Sequence, residues 1–336
     1  MLRSAICILL LAYTLLAAPA VVAAGSCKLA KIIELPVTVT GMRPVTTVQI
    51  DGSSTSLLVD SGAEFSTMSA PSAASLHLST YPVDRRFEMK GIVAGVTSVN
   101  LANVRSLTVA GLSLRDVEFL VGGSEVGGGV AGLLGQNVLH IADVEYDLAG
   151  GMIRLMQSSD CGNAVLAYWA SGTSTPYSVM NIQAAEAWNE QTLGTRLGRA
   201  KPRYLHTVGT AYLNGALIRV LFDSGAPFSM LTLNAAARAG IRPEDSGVVR
   251  AGVIHGIGSG MVQTYLASVS SFKIGDEEIR NTRLRFGDID LSWTHADMLL
   301  GADFFLSHRI YVANAERKVF FTYNGGPVFN LSVAAN

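Results

Sequence analysis

The sequence predicts a mostly β, bilobal protein whose two homologous, β-barrel-like lobes face each other across a pseudo-two-fold axis. Three observations carry this. A nine-residue phrase, Leu58-Val59-Asp60-Ser61-Gly62-Ala63-Glu64-Phe65-Ser66, returns 163 residues later as Leu221-Phe222-Asp223-Ser224-Gly225-Ala226-Pro227-Phe228-Ser229. Each copy is followed by Leu-Leu-Gly, at Leu133-Leu134-Gly135 and Leu299-Leu300-Gly301, whose glycines lie 75 and 78 residues beyond the Asp. Between these landmarks run short apolar stretches of strand length, separated by turn residues and with few helical stretches, as in an all-β unit. A carboxylate repeated within a repeated fold is expected to meet its copy on the axis between the lobes.

In chain order, residues 1–24 read as a secretory signal peptide. Met1-Leu2-Arg3 is a short positive start, residues 5–16 are apolar, and Ala18-Pro19-Ala20 or Val22-Ala23-Ala24 supplies a small-residue cleavage site. Two other readings stay open. Residues 5–24 approach the roughly 20 residues that span a bilayer, which would make them an uncleaved anchor. Ala24-Gly25-Ser26-Cys27 faintly matches a lipoprotein cleavage box, with Ala where a larger aliphatic residue is usual. The mature protein is expected to be exported, periplasmic or secreted, and to meet a membrane only if the N-terminus stays as an anchor or carries lipid.

Removal of the signal leaves about 310 residues, enough for two lobes with their own cores, over 25–157 and 204–336, joined by a linker over 158–203. With 49% hydrophobic residues, 15% charged residues and a net charge of −1, the chain is neither disordered by composition nor suited to nucleic acid. Cys7 leaves with the signal, so Cys27 and Cys161 remain, one before the first strand of the first repeat and one after its last. In an exported protein they can pair. The alternatives are two unlinked thiols or a lipid on Cys27.

Each unit opens with strand, tight turn and strand. In the first these are residues 46–50, Asp51-Gly52 and 57–60; in the second, 211–213, Asn214-Gly215 and 218–223. Asp-Gly and Asn-Gly are hairpin-turn dipeptides. Gly-rich stretches follow at matching offsets, Gly91-Ile92-Val93-Ala94-Gly95 and Gly256-Ile257-Gly258-Ser259-Gly260, and read as mobile hairpin tips. Alternating strands follow at 104–109 and 117–121, then at 267–274 and 282–286. Leu-Leu-Gly leads into a short helix at 136–139 or 302–305, and a final strand pair ends each unit. The linker breaks the pattern, with one helix expected over 182–193 before a basic stretch at 196–203.

Asp60-Ser61-Gly62-Ala63, Asp223-Ser224-Gly225-Ala226, the two Leu-Leu-Gly motifs and the Gly-rich tips together resemble the clan of pepsin-like and retroviral aspartic proteases, over about residues 35–157 and 204–325. One Asp-Ser-Gly is common by chance; two, each with its Leu-Leu-Gly, form a specific signal. The Ala after each Asp-Ser-Gly, the short units and the lack of a tyrosine in residues 87–98 look closer to retropepsins than to pepsin, which carries a flap tyrosine. The resemblance implies the bilobal acid-protease fold, aspartic endopeptidase activity on a peptide or protein substrate, no cofactor, and a monomer that supplies both halves from one chain.

It also implies roles. Asp60 and Asp223 would be catalytic, a few ångströms apart around a water; like charges so close cannot both ionise, so the pair would share a proton. Ser61 and Ser224 would exchange hydrogen bonds across the axis, and Gly62 and Gly225 would let backbone amides approach the carboxylates. Gly91, Ile92 and Val93 with Gly256, Ile257 and Gly258 would be flaps over an extended peptide bound as an added strand. Pepsin-type sites carry hydroxyl donors where Ala63 and Ala226 stand here, so the shared proton is expected to be held to higher pH. The alternative function is a non-catalytic envelope protein that binds extended peptides in the same cleft.

Other motifs are weaker. Asp303, whose counterpart is Asn137, is expected to be structural. The loop from Gly122 to Gly129 lacks the Gly-Lys-Ser/Thr of phosphate loops, and the six histidines show no metal-ligand spacing. Asn330-Leu331-Ser332 matches a glycosylation acceptor.

Overall fold

Each lobe is started by the turn its sequence encodes. Asp51 and Gly52 have φ of 48° and 89°, and Asn214 and Gly215 have φ of 47° and 83°. Two successive positive φ angles form the hairpin turn whose twist matches that of the flanking strands. They join Arg43–Ile50 to Ser53–Val59 and Val208–Leu213 to Ala216–Phe222. The computed structural model describes residues 27–83, 89–93, 96–123, 125–172, 174–182, 205–256 and 260–329.

Both lobes close by the same device. In the first, Arg43–Ile50 pairs with Ser53–Val59 on one side and with Asn100–Val109 on the other, which turns an eight-stranded sheet back on itself. In the second, Val208–Leu213 pairs with both Ala216–Phe222 and Met261–Ile274 in a seven-stranded sheet. The predicted short helices form at Gln136–Leu139 and Ala302–Ser307.

The final strand pairs do more than end their units. Asp143–Asp147 lies antiparallel to His308–Ala313, with Tyr146 opposite Ile310 and Val144 opposite Val312, at the centre of a six-stranded sheet shared by both lobes. Glu145, fully buried in this sheet, accepts from Arg154 Nη1 at 2.6 Å, from Arg309 Nη2 at 2.6 Å and from Tyr168 Oη at 2.6 Å. A buried carboxylate held by one guanidinium from each lobe ties the two lobes at one point, and removal of either arginine would weaken the compensation of its charge.

The linker reading of 158–203 does not describe all of that segment. Tyr168–Ala170 forms a helical turn, and Ser178–Asn181 adds a strand to the shared sheet against Lys318–Tyr323. Four residues among Ser, Thr and Pro are too few to show a period, so the strand is set by its neighbour. The helix expected over 182–193 lies outside the described residues, apart from Ile182, which bridges to Gly209.

The opposite edge of the shared sheet is Lys28–Pro36, paired with Met152–Ser159. Cys27 and Cys161 are joined by a disulfide beyond that strand pair, across a separation of 134 residues. In the chain-entropy account a loop of that length stabilises by up to about 5 kcal/mol. Cys27→Ser is therefore expected to lower the melting temperature of the mature protein, and reductant to lower that of the wild type alone. Equal melting temperatures for the two proteins without reductant would show that the link contributes nothing.

Beneath the site the two cores merge. The Tyr146 ring meets Phe305 edge-on at 5.1 Å, and Phe222 meets Phe305 at 6.2 Å and Phe304 at 6.3 Å. Each buried ring stabilises by roughly 2–3 kcal/mol relative to exposure, and this floor sets the height of the loops above it.

Candidate active site

Asp60 and Asp223 stand at the ends of equivalent strands. Ser53–Val59 runs parallel to Val130–Leu134, and Ala216–Phe222 runs parallel to Met298–Leu300, so the Leu-Leu-Gly strands lie beside the strands that carry the carboxylates. The ladder continues one residue further: Asp60 N donates to Leu134 O at 3.0 Å and Asp223 N to Leu300 O at 2.9 Å. The glycine of each motif has a steric reason. A Cβ at Gly135 would lie 2.6 Å from the Phe65 carbonyl carbon, and one at Gly301 2.5 Å from that of Phe228. Only glycine lets the chain turn so close to the active-site loop.

The loops are locked to each other by a symmetric exchange. Ser61 N donates to Ser224 Oγ at 3.0 Å and Ser224 N to Ser61 Oγ at 2.9 Å. Ser61 Oγ in turn donates to Phe222 O at 2.9 Å, and Ser224 Oγ to Val59 O at 2.8 Å. Both serines are buried. Gln136 adds a donor from its amide to Ser61 O at 2.8 Å, and the Tyr146 side chain shares a hydrogen bond with that of Ser61.

The carboxylates are held in the same symmetric way. Asp60 Oδ1 accepts from Gly62 N and Ala63 N, both at 2.9 Å, and Asp223 Oδ1 from Gly225 N and Ala226 N, both at 3.0 Å. Gly62 and Gly225 serve a further purpose: a side chain at Gly62 would overlap the Asp223 carboxyl, and one at Gly225 that of Asp60. Each glycine thus makes room for the carboxylate of the opposite lobe, which a single motif in sequence does not reveal. Burial raises the pKa of Asp60 against hydrogen bonds from Asp223, Gly62 and Ala63 and the charge of Arg43. Burial and then the charge of Asp60 raise that of Asp223 well above the usual carboxylate range. Both shifts run upward, as burial of two facing carboxyls requires.

The flap residues of the first lobe sit between Met89–Lys90 and Val96–Thr97. Gly91 leads to Ile92, whose carbonyl accepts from Asp290 N of the second lobe at 2.9 Å. Val93, 2% exposed, packs with Val208, Ala226, Val262, Ile289 and Leu291, and a Cβ at Gly256 would lie 2.8 Å from its own Cβ. Gly256 therefore lies against Val93, and this part of the first tip is seated on the second lobe. Ile257 and Gly258 lie outside the described residues.

Asp303 and Asn137 occupy equivalent places below the loops. Asp303 accepts from Ser229 N and Oγ, at 2.9 and 2.6 Å, and Asn137 accepts from Ser66 N and Oγ, at 2.7 and 2.8 Å. Burial pushes the Asp303 carboxyl up to about 6, against the pull of Ser229. Two further groups beside the site, Glu64 and His206, stand at positions that do not repeat between the lobes, Pro227 and Arg43 occupying the matching places. Among the described residues no three His, Cys, Asp or Glu side chains are grouped so as to hold a metal ion, and no helix is long and apolar enough to cross a membrane.

A fold of two duplicated lobes, with an Asp-Ser-Gly loop from each at their junction, defines an aspartic protease. Residues 46–140 match the gag-polyprotein aspartyl protease family and residues 209–304 the aspartyl protease family. Among solved structures the chain is similar to an aspartic proteinase from Irpex lacteus, at 12% identity and a TM-score of 0.51 over 92% of this chain and 100% of that one. It is also similar to edgp, at 11% identity and a TM-score of 0.43 over 86% of this chain and 94% of that one. No curated protein sequence matches the chain significantly. The chain belongs to the retropepsin-like and pepsin-like aspartic proteases and is an aspartic-type endopeptidase with an internal duplication.

Proposed function

We propose that this endopeptidase works outside the cytoplasm as a monomer, with Asp60 and Asp223 as a proton-sharing dyad that activates water. The observation that carries the reading is the pair of facing carboxyls, each held by two amides and both fixed by the serine exchange. The ionised carboxylate takes a proton from water as the water attacks the scissile carbonyl. The protonated carboxyl hydrogen-bonds the carbonyl oxygen and then protonates it, with no covalent intermediate. One chain supplies both carboxylates, so no second copy is needed. The Cys27–Cys161 bond supports an oxidising compartment, and residues 1–24 read as the export signal.

Cleavage of a mixed peptide library by the mature protein tests this reading. Activity requires one proton on the dyad, and its loss sets the upper limb of a bell-shaped profile. Both folded pKa values are raised, so that limb moves up in pH relative to an exposed carboxylate pair. The expected optimum is mildly acidic to near-neutral, and Ala63→Thr, which adds a donor beside the carboxylate, is expected to pull the upper limb down. An optimum near pH ~2–3 with no activity above pH ~5 would refute the proton being held this way. N-terminal sequencing of the exported protein reads out the signal: a chain that still begins at Met1 refutes cleavage.

A further inference from the structure

We propose that Glu64 and His206 are positioning residues which share one proton and, through the Gly62–Ala63 peptide, make Asp60 the ionised member of the dyad and Asp223 the proton holder. This rests on the reading of the two carboxyls as a proton-sharing dyad. His206 Nε2 lies 3.0 Å from Gly62 O. A carbonyl oxygen only accepts, so Nε2 carries a hydrogen. In a neutral imidazole the other nitrogen then presents a lone pair. That atom, Nδ1, lies 3.4 Å from Glu64 Oε2, with the His206 side chain 2% and the Glu64 side chain 14% exposed. That nitrogen is buried and has no hydrogen-bond partner among the described residues, the Glu64 oxygen being its polar neighbour. Two acceptors facing each other in a buried site repel unless a proton lies between them, on the carboxyl or on the ring.

The link to the dyad is a single peptide group. The oxygen that receives His206 belongs to the same amide as Ala63 N–H, which donates to Asp60 Oδ1 at 2.9 Å. A donor on the oxygen polarises the amide and strengthens its N–H as a donor, and donors to a carboxylate favour its ionised form. The second lobe lacks this arrangement. Pro227 stands where Glu64 does, and Arg43 stands 163 residues before His206. Among the described residues no side chain donates to Gly225 O, although Ala226 N still donates to Asp223 Oδ1 at 3.0 Å. The charge of Arg43 acts on Asp60 in the same direction as the relay.

The pH range over which the relay holds follows from its surroundings. Facing His206 are Glu64, the Gly62 carbonyl and the edge-on ring of Trp293 at 5.0 Å; facing Glu64 are His206 and the Leu205 amide; the dyad lies across Gly62. Burial pushes Glu64 up to about 7 and His206 down to about 4. Between those values the folded pair is neutral and keeps its one proton. Glu64, with a raised pKa, contributes stability present below about 4.5 and lost as pH rises through about 7. His206, with a lowered pKa, contributes stability present above about 6.5 and lost as pH falls through about 4. The two contributions balance near pH ~5.5, where folded and unfolded pairs each bind about one proton.

The test is the pH profile of kcat/KM on a cleaved peptide. His206→Phe and Glu64→Ala are expected to move the acid limb up by about 0.5–1 pH unit, because Asp60 loses support for its charge. His206→Gln, whose amide still donates to Gly62 O, is expected to bring it back. An acid limb unmoved in both His206→Phe and Glu64→Ala overturns the proposal. Melting temperature against pH, in an Asp60→Asn/Asp223→Asn background that cannot titrate at the dyad, tests the shared proton without relying on cleavage. Adding Glu64→Gln, which keeps a donor on Nδ1 at every pH, should make the fall in melting temperature between pH ~5.5 and ~8 shallower. Parallel curves would refute the shared proton even if the dyad reading stands, whereas failure of the dyad alone would leave the two curves different.

Discussion

Asp60→Asn and Asp223→Asn are each expected to lower kcat/KM by several orders of magnitude while the protein stays folded. Asparagine keeps an oxygen that can accept from Gly62 N and Ala63 N, or from Gly225 N and Ala226 N, so the loop hydrogen bonds survive. It cannot serve as a base, and it cannot take part in sharing one proton. The two carboxyls act as a unit, so either single change should cost nearly as much as both together. Stability should move the other way. Both carboxyls have raised pKa values in the folded protein, so the wild type loses stability as pH rises through them, and an uncharged amide does not. Each variant is therefore expected to melt no lower than the wild type near neutral pH. More than about a tenth of wild-type turnover in either variant would mean that the carboxyls do not act together.

Ser61→Ala and Ser224→Ala are expected to damage stability and activity together. Ser61 Oγ accepts from Ser224 N and donates to Phe222 O, and Ser224 Oγ accepts from Ser61 N and donates to Val59 O, so either change orphans an amide and a carbonyl. These groups lie where both serines are buried. At about 1–3 kcal/mol for each buried unsatisfied group, the loss is about 2–6 kcal/mol. For Ser61→Ala the hydrogen bond shared with Tyr146 goes as well. The rate should fall too, because this exchange ties the two carboxylate-bearing loops to each other. Urea unfolding and kcat/KM of each variant provide the check. A stability change below about 0.5 kcal/mol, the range of an ordinary surface substitution, would show that the exchange does not hold the lobes.

Most of this arrangement was legible because it is written in short contiguous stretches and written twice. Asp51-Gly52 and Asn214-Gly215 dictate their turns locally, since two positive φ angles in a row suit few residue pairs. Asp-Ser-Gly-Ala and Leu-Leu-Gly can be compared between copies, and the spacing alone puts each carboxylate at the end of an equivalent strand. The steric demand at Gly135 and Gly301 was visible only as a repeated letter. Its cause, a carbonyl from another segment within 2.5–2.6 Å of the missing side chain, needed the packed loops.

By itself, then, the sequence determined the duplication, the turns, the succession of strands along each repeat and the two repeated carboxylates. Tertiary structure alone decided how the halves depart from symmetry. Ser178–Asn181 becomes a strand because Lys318–Tyr323 offers it an edge. Val93 is buried on the opposite lobe, while Glu64 finds His206 although Pro227 occupies the matching place. Local backbone geometry is specified by neighbouring residues and so repeats with them. Contacts between lobes join residues more than a hundred positions apart, carry no period, and exist only once both barrels have closed and their packing has brought those residues together.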